Sequence, residues 1–173
     1  AFRRFHKDVS DTYRVWATLE RSWDRKHLVE LEASAAKAPD DVATATLLAE
    51  LYLHHGEREE ARRVLKKARS QRPDDAALLE LSVKAAAGLD EAEKLQRELS
   101  AKHPDDPTHS IALAAMLIDR GKHALAAPLL EALTKSALPA PRAVAHYQLA
   151  RARLADNKLA DALTELERSA ALN

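Results

Sequence analysis

One triplet, Pro-Asp-Asp, recurs at Pro39-Asp40-Asp41, Pro73-Asp74-Asp75 and Pro104-Asp105-Asp106, at intervals of 34 and then 31 residues. Recurrence at that period marks a chain built by stacking one supersecondary unit on the next. The triplet also has a local meaning. A proline cannot continue the helix before it, and an aspartate accepts hydrogen bonds from the free N–H groups that open the next helix. Each triplet therefore predicts a boundary between two helices. Composition agrees: Gly 3 and 4% aromatics leave little material for a turn-rich β protein, whereas the abundant Ala, Leu, Glu, Arg and Lys suit helices.

Between the first two boundaries the chain reads Leu48-Ala49, Tyr52, Gly56, Ala61, Leu65, Ala68 and then Pro73, two amphipathic helices hinged at Gly56. This pattern resembles the tetratricopeptide repeat. The resemblance implies an all-α, right-handed superhelical solenoid of antiparallel helix pairs, about five in all. Residues 42–75 match the family's unit at nearly every typed position. The other units align on Ala61, Ala92, Ala126 and Ala162, small residues early in the second helix of each pair, and on Leu48, Ser82, Leu113 and Leu149 in the first. An alanine where two helices cross lets their backbones approach closely.

The spacings of these two series place a three-residue deletion between Ser82 and Ala92, with Asp90 expected to cap the following helix. They also place a two-residue insertion in the stretch from Ser136 to Pro141. A degenerate first unit carries the apolar stripe Trp16, Leu19 and Trp23, and Asn157 takes the place of the usual turn glycine in the last. The expected repeats are residues 8–41, 42–75, 76–106, 107–142 and 143–173, forming a single solenoid domain over 1–173. Ala1 in place of a methionine points to a processed chain or a piece of a longer protein.

Lys+Arg 27 against Asp+Glu 27 leaves a formal charge of +0, so no overall field favours nucleic acid or an anionic membrane. The first 27 residues lean basic, through Arg3, Arg4, Lys7, Arg14, Arg21, Arg25 and Lys26, which marks either a solvated helix or a contact for an acidic partner. No run approaches the length of a membrane-spanning helix and no apolar signal core opens the chain, so no membrane insertion is expected. Cys 0 excludes disulfides and thiolate chemistry but leaves the compartment open between cytoplasm and periplasm.

Residues for chemistry are missing from the pattern. No two of the His 8 stand three or four apart, as a metal pair on one helix face requires, and the adjacent His54 and His55 are expected to point apart. The aspartate doublets sit where caps are needed, and there is no phosphate loop or nucleophile elbow. The expectation is a non-enzymatic protein with no metal and no cofactor.

The tetratricopeptide resemblance implies a concave face lined by the first helix of each pair. Carried onto this chain, the family's groove positions include Thr46, Glu50, His54, Glu80, Lys84, Ile111, Ile118, Asp119, Tyr147, Arg151 and Leu154. Thr46, Leu47, Glu50 and Glu80 stand where some relatives carry Lys, Arg and Asn to grip a C-terminal carboxylate, so apolar anchoring of a peptide or helix is expected instead. The resulting reading is a bacterial protein-interaction scaffold or adaptor. Its alternatives are a regulatory arm of a larger enzyme or membrane-associated assembly, and an oligomerisation module, including a homodimer, acting through the last helix, where Leu163, Leu166 and Leu172 lack a polar cover. A finer similarity runs from Ala92-Glu93-Lys94-Leu95 through His103-Pro104-Asp105-Asp106-Pro107 to Leu149-Ala150. It looks like the repeat region of bacterial inner-membrane proteins associated with haem biosynthesis, which carry an N-terminal anchor.

Overall fold

The computed structural model describes residues 26–38 and 41–172. The stripe Trp16, Leu19 and Trp23, the basic opening residues from Arg3 to Arg25, Pro39 and Asp40 lie outside that set. Among the described residues there are nine helices and no strand. Helix α1 covers 26–37, followed by α2 (Val42–His54), α3 (Arg58–Gln71), α4 (Ala76–Ala85), α5 (Leu89–Lys102), α6 (Pro107–Asp119), α7 (His123–Leu133), α8 (Pro139–Ala155) and α9 (Leu159–Ala170). The chain divides into two compact units at Pro73/Asp74, within the second triplet. The first holds the helices through α3 and the second holds α4 to α9.

The second aspartate of each triplet is the cap. Asp41 accepts from the Ala43 and Thr44 amides at 3.1 and 3.4 Å, Asp75 from Leu78 at 3.1 Å and Asp106 from Thr108 at 2.9 Å. At the opposite ends of α2, α6 and α8 the chain turns through Gly56, Gly121 and Asn157, with φ of 77°, 71° and 62°. Such values cost glycine nothing and asparagine little, so the helix–turn–helix geometry is written into single residues.

Three local expectations are corrected. Asp90 is not a cap: Gly88 precedes α5 with no side-chain cap bond, and the Ala87 amide instead donates to Glu91 Oε2 at 2.8 Å. The helix already begins at Leu89, which places Asp90 inside its first turn, where its carboxylate pairs with Arg120, thirty residues along the chain. Likewise, His54 and His55 do not point apart. His55 leaves α2 as its C-cap, and the two rings meet edge to face with centroids 5.6 Å apart. The insertion before α8 is also shorter in loop than its sequence suggested, since Pro139 already opens the helix and the expected 142/143 boundary falls inside it. Proline's fixed φ and missing N–H suit a first helical turn.

In the first unit α2 packs on α3, burying Leu48, Ala49 and Tyr52 against Ala61, Leu65 and Ala68. Tyr52 donates from its hydroxyl to Glu32 Oε1 on α1 at 2.6 Å, and burial followed by that carboxylate pushes the phenol above its ordinary range. In the second unit each helix packs on its successor, α4 on α5, α5 on α6, α6 on α7, α7 on α8 and α8 on α9, while α6 also lies beside α8. Within each unit most of the positions aligned from sequence are interior. Leu48, Ser82, Leu113 and Leu149 are all buried, as are Ala61, Ala126 and Ala162, whereas Ala92 is half-buried. The α6–α7–α8 core comprises Leu113, Leu117 and Leu130 closed by Ala145, Leu149 and Ala152.

Candidate functional site

The side-by-side packing of α6 and α8 aligns the first helices of two successive pairs in the second unit. On α8, Val144 and Arg151 are seven residues apart and share one line of the helix surface, and Tyr147 and Leu154 share the neighbouring line. Val144, Tyr147 and Leu154 are all exposed, Tyr147 at 49%. Half-buried Ile111 and exposed Asp119 stand on α6. Arg151 spans the two helices: one guanidinium nitrogen donates to Asp119 Oδ1 at 2.7 Å and another to Gln148 Oε1 at 2.8 Å. The face is thus apolar, with one exposed ion pair across it.

Ile118 is not part of this surface. Only 7% exposed, it belongs to the core with Ala145, Leu149 and Ala152 of α8, so its expected groove role is corrected. The reason is positional. Ile118 stands five residues after Leu113, just as Leu154 stands five after Leu149, and in the α6–α7 pair that position is covered by the next helix. Further along the same unit, exposed Glu80 and Lys84 stand on α4, and Glu80 Oε1 lies 3.8 Å from Nδ1 of buried His109 on α6. The remaining groove candidates, half-buried Thr46 and exposed Glu50 and His54, belong to α2 in the first unit.

The strongest polar cluster was not legible in the sequence. Glu93, buried on α5, meets three cations: Arg97 Nη2 at 3.0 Å, Arg120 Nη1 at 2.7 Å and Lys122 Nζ at 2.6 Å. Arg120 also pairs with Asp90 and donates to the Leu89 carbonyl at 2.8 Å. The cluster ties the start of α5 to the α6–α7 turn. It contains no acid–base pair poised for catalysis, because the carboxylate is saturated by cations that hold it ionised.

Hydrogen bonds from Lys122, then Arg97, hold the Glu93 carboxyl below the usual glutamate range, and Lys102, Arg120 and His123 do the same for Asp74, Asp90 and Asp156. A carboxylate with a depressed folded-state pKa contributes stability that is present above its unfolded value, about 4, and lost as pH falls through the folded one. The second unit is therefore expected to melt at lower temperature at pH 3 than at pH 7. Glu93→Gln should lower the melting temperature at pH 7 and shrink that difference in thermal scans followed by circular dichroism. An unchanged difference would show that the cluster does not carry the acid sensitivity.

Two more histidine–carboxylate pairs join helices: His146 Nδ1 to Glu165 Oε2 at 2.6 Å between α8 and α9, and His123 Nδ1 to Asp156 Oδ1 at 2.8 Å. His123 and Asp156 rim an open cavity of about 380 Å³ between α7 and α8, floored by Ala127, Leu149 and Ala152. Among the described residues no three His, Cys, Asp or Glu side chains converge as a metal site would need, and no helix is long and apolar enough to cross a membrane.

The pairwise helices, the left-handed turns and the small residues at the crossings meet one family model, which matches residues 28–87 and describes a tetratricopeptide repeat. Over that segment the chain is similar to the tetratricopeptide repeat. Solved structures extend the likeness of fold over most of the chain. A crystal structure of MamA superposes with a TM-score of 0.72 at 15% identity, over 84% of this chain and 85% of that one. A second MamA, residues 41 to the end from Desulfovibrio magneticus RS-1, gives 0.64 at 23% identity over 78% and 76%. A Podosopora anserina putative kinesin light chain with nearly identical tetratricopeptide-like repeats gives 0.68 at 22% over 88% of each chain. No curated protein matches the sequence, and the finer similarity to inner-membrane proteins of haem biosynthesis finds no counterpart among these structures.

Proposed function

We propose that the chain is a non-enzymatic scaffold that holds a peptide or helical segment of another protein against the α6–α8 face of its second unit. The supporting observation is the exposure of Val144 and Tyr147, on neighbouring lines of α8, together with half-buried Ile111 on α6, the two helices being packed side by side. Large apolar groups left open between charged neighbours are anchors for spaced side chains of a partner. Tyrosine and arginine are the residue types that most often dominate such contacts. Arg151, already oriented by Asp119 and Gln148, offers a charged neighbour to the apolar anchor. Glu80 and Lys84 on α4 add opposite charges in the same unit.

A phage-displayed library of random peptides tests this reading. Selection on the wild-type chain should enrich sequences with apolar residues at helical or alternate spacing. The triple variant Lys84→Glu, Arg151→Glu, Tyr147→Ala should bind the selected peptides at least about tenfold more weakly, equivalent to ~1.4 kcal/mol, with its helical circular dichroism retained. Equal binding by the two proteins would exclude this face as the capture surface.

A further inference from the structure

One helix of the first unit carries charge that the chain does not balance. From Arg62 to Arg72 stand Arg62, Arg63, Lys66, Lys67, Arg69 and Arg72, with no acid among them. Helix α3 buries Ala61, Leu65 and Ala68, so the cations fall on the rest of its surface: Arg63, Lys66, Lys67 and Arg72 are exposed, Arg62 and Arg69 half-buried. The first half of the helix is balanced. Arg62 Nη1 lies 3.1 and 3.2 Å from the two carboxylate oxygens of Glu59, and Arg63 Nη2 lies 2.9 Å from Glu60 Oε1.

The second half is not. A helix surface brings together residues three and four apart. At that spacing the neighbours of Lys66 and Lys67 are Arg62, Arg63, Val64, Arg69, Ser70 and Gln71, none of them acidic. Among the described residues no carboxylate forms an ion pair with either lysine. Arg72, past the helix end, has the α2 cap Asp41 within electrostatic reach, so the unbalanced charge centres on the two lysines. Arg62 with Lys66, Arg63 with Lys67 and Lys66 with Arg69 are like-charge pairs at helical spacing, which weaken a helix. Attraction to the carbonyl end of the helix falls off within the last turn. With α3 ending at Gln71, it does not account for Lys66 and Lys67.

We infer that this outer row of α3 docks a short acidic segment of another protein, whose carboxylates do for Lys66 and Lys67 what Glu59 and Glu60 do one turn earlier. The dimensions and limits of the row select that partner among anions. Arg62 to Arg69 spans about 10 Å of helix axis, room for two or three carboxylates. Glu57, Glu59 and Glu60 are exposed or half-buried at the N-terminal end of the same helix, so a long polyanion or a flat anionic membrane laid along α3 would meet them as well as the cations. Helix α3 has no aromatic side chain on which a base could stack, the group that nucleic-acid grooves combine with cations. Nor does it expose a large apolar residue that could enter a bilayer. Helix α3 belongs to the first unit and peptide capture was assigned to helices of the second, so the two readings are separable.

Fluorescence anisotropy of rhodamine-labelled hexaglutamate titrated with the 173-residue chain tests the inference. Binding should be measurable at low salt and weaken as added salt screens the contact. Lys66→Glu with Lys67→Glu should weaken it at least about tenfold, whereas Lys66→Arg with Lys67→Arg should retain it. Lys84→Glu with Tyr147→Ala, on the surfaces proposed for peptide capture, should bind hexaglutamate as the wild type does. The charge reversal also relieves the like-charge pairs, so helical circular dichroism should persist and the urea midpoint hold or rise. A fall in that midpoint would assign the two lysines to holding the fold and overturn the inference. So would hexaglutamate binding that is absent at low salt or unchanged by the reversal. Tighter binding of hexathymidylate or of phosphatidylserine vesicles, lost on the same reversal, would give the row to a nucleic acid or a membrane and overturn the choice of partner.

Discussion

Leu130→Ala should lower the unfolding free energy of the second unit by about 2–5 kcal/mol, the range for truncating a leucine in a core that cannot collapse around the gap. Leu130 is 0% exposed and packs where three helices meet: Leu113, Leu117 and Ile118 on α6 and Ala145, Leu149 and Ala152 on α8. Alanines on two sides leave few long side chains able to swing into the vacancy. A loss of that size is a large fraction of the roughly 5–15 kcal/mol that holds an ordinary domain together. Urea denaturation followed by circular dichroism measures it, with Leu166→Ala as the internal comparison. That leucine holds the equivalent place on α9 but is partly solvated, so its truncation should cost a small part of the Leu130 value. Equal losses would contradict the packing described for α7.

The second large effect comes from adding volume where helices cross. Ala126 is fully buried at the contact of α7 with α6, and Ala126→Leu forces apart backbones that approach closely because of the missing side chain. Overpacking of this kind costs about 1–3 kcal/mol. The same substitution at Ala92, its counterpart in the preceding pair, should cost less. Ala92 is only half-buried, and the start of α5 is held by the ion cluster of Glu93, Arg120 and Lys122 in addition to close helix contact. The two variants compared in one urea series decide the point, since equal destabilisation would mean that exposure of the alanine does not govern the effect.

Much of the helix plan was readable because the signals that produce it are local. Asp41, Asp75 and Asp106 cap helices through amides two or three residues ahead, and Asn157 supplies the turn conformation that Gly56 and Gly121 supply elsewhere. The expected core positions Leu48, Ser82, Leu113 and Leu149 are buried for a related reason: helical periodicity puts every third or fourth residue on one face. Asp90 escaped the same reasoning because α5 begins one residue before it, and inside that first turn its carboxylate meets Arg120 from the turn between α6 and α7. Ile118 was misplaced because its position in the repeat says which side of the helix it occupies but not whether another helix lies over that side.

The candidate face was legible in the same partial way. Tyr147 and Arg151 were singled out as groove residues and both stand on the α8 surface, but the pairing of Arg151 with Asp119 depends on α6 and α8 lying side by side. The recurring triplet, the typed small residues and the turn residues were therefore enough, by themselves, to determine helices, their pairing and the repeat, since each acts over a few residues of contiguous chain. Tertiary packing alone decided which of two equivalent leucines is core and which is surface. It also brought Glu93 to Lys122 across twenty-nine residues, because burial and ionic contact are properties of neighbours in space, which no single repeat contains.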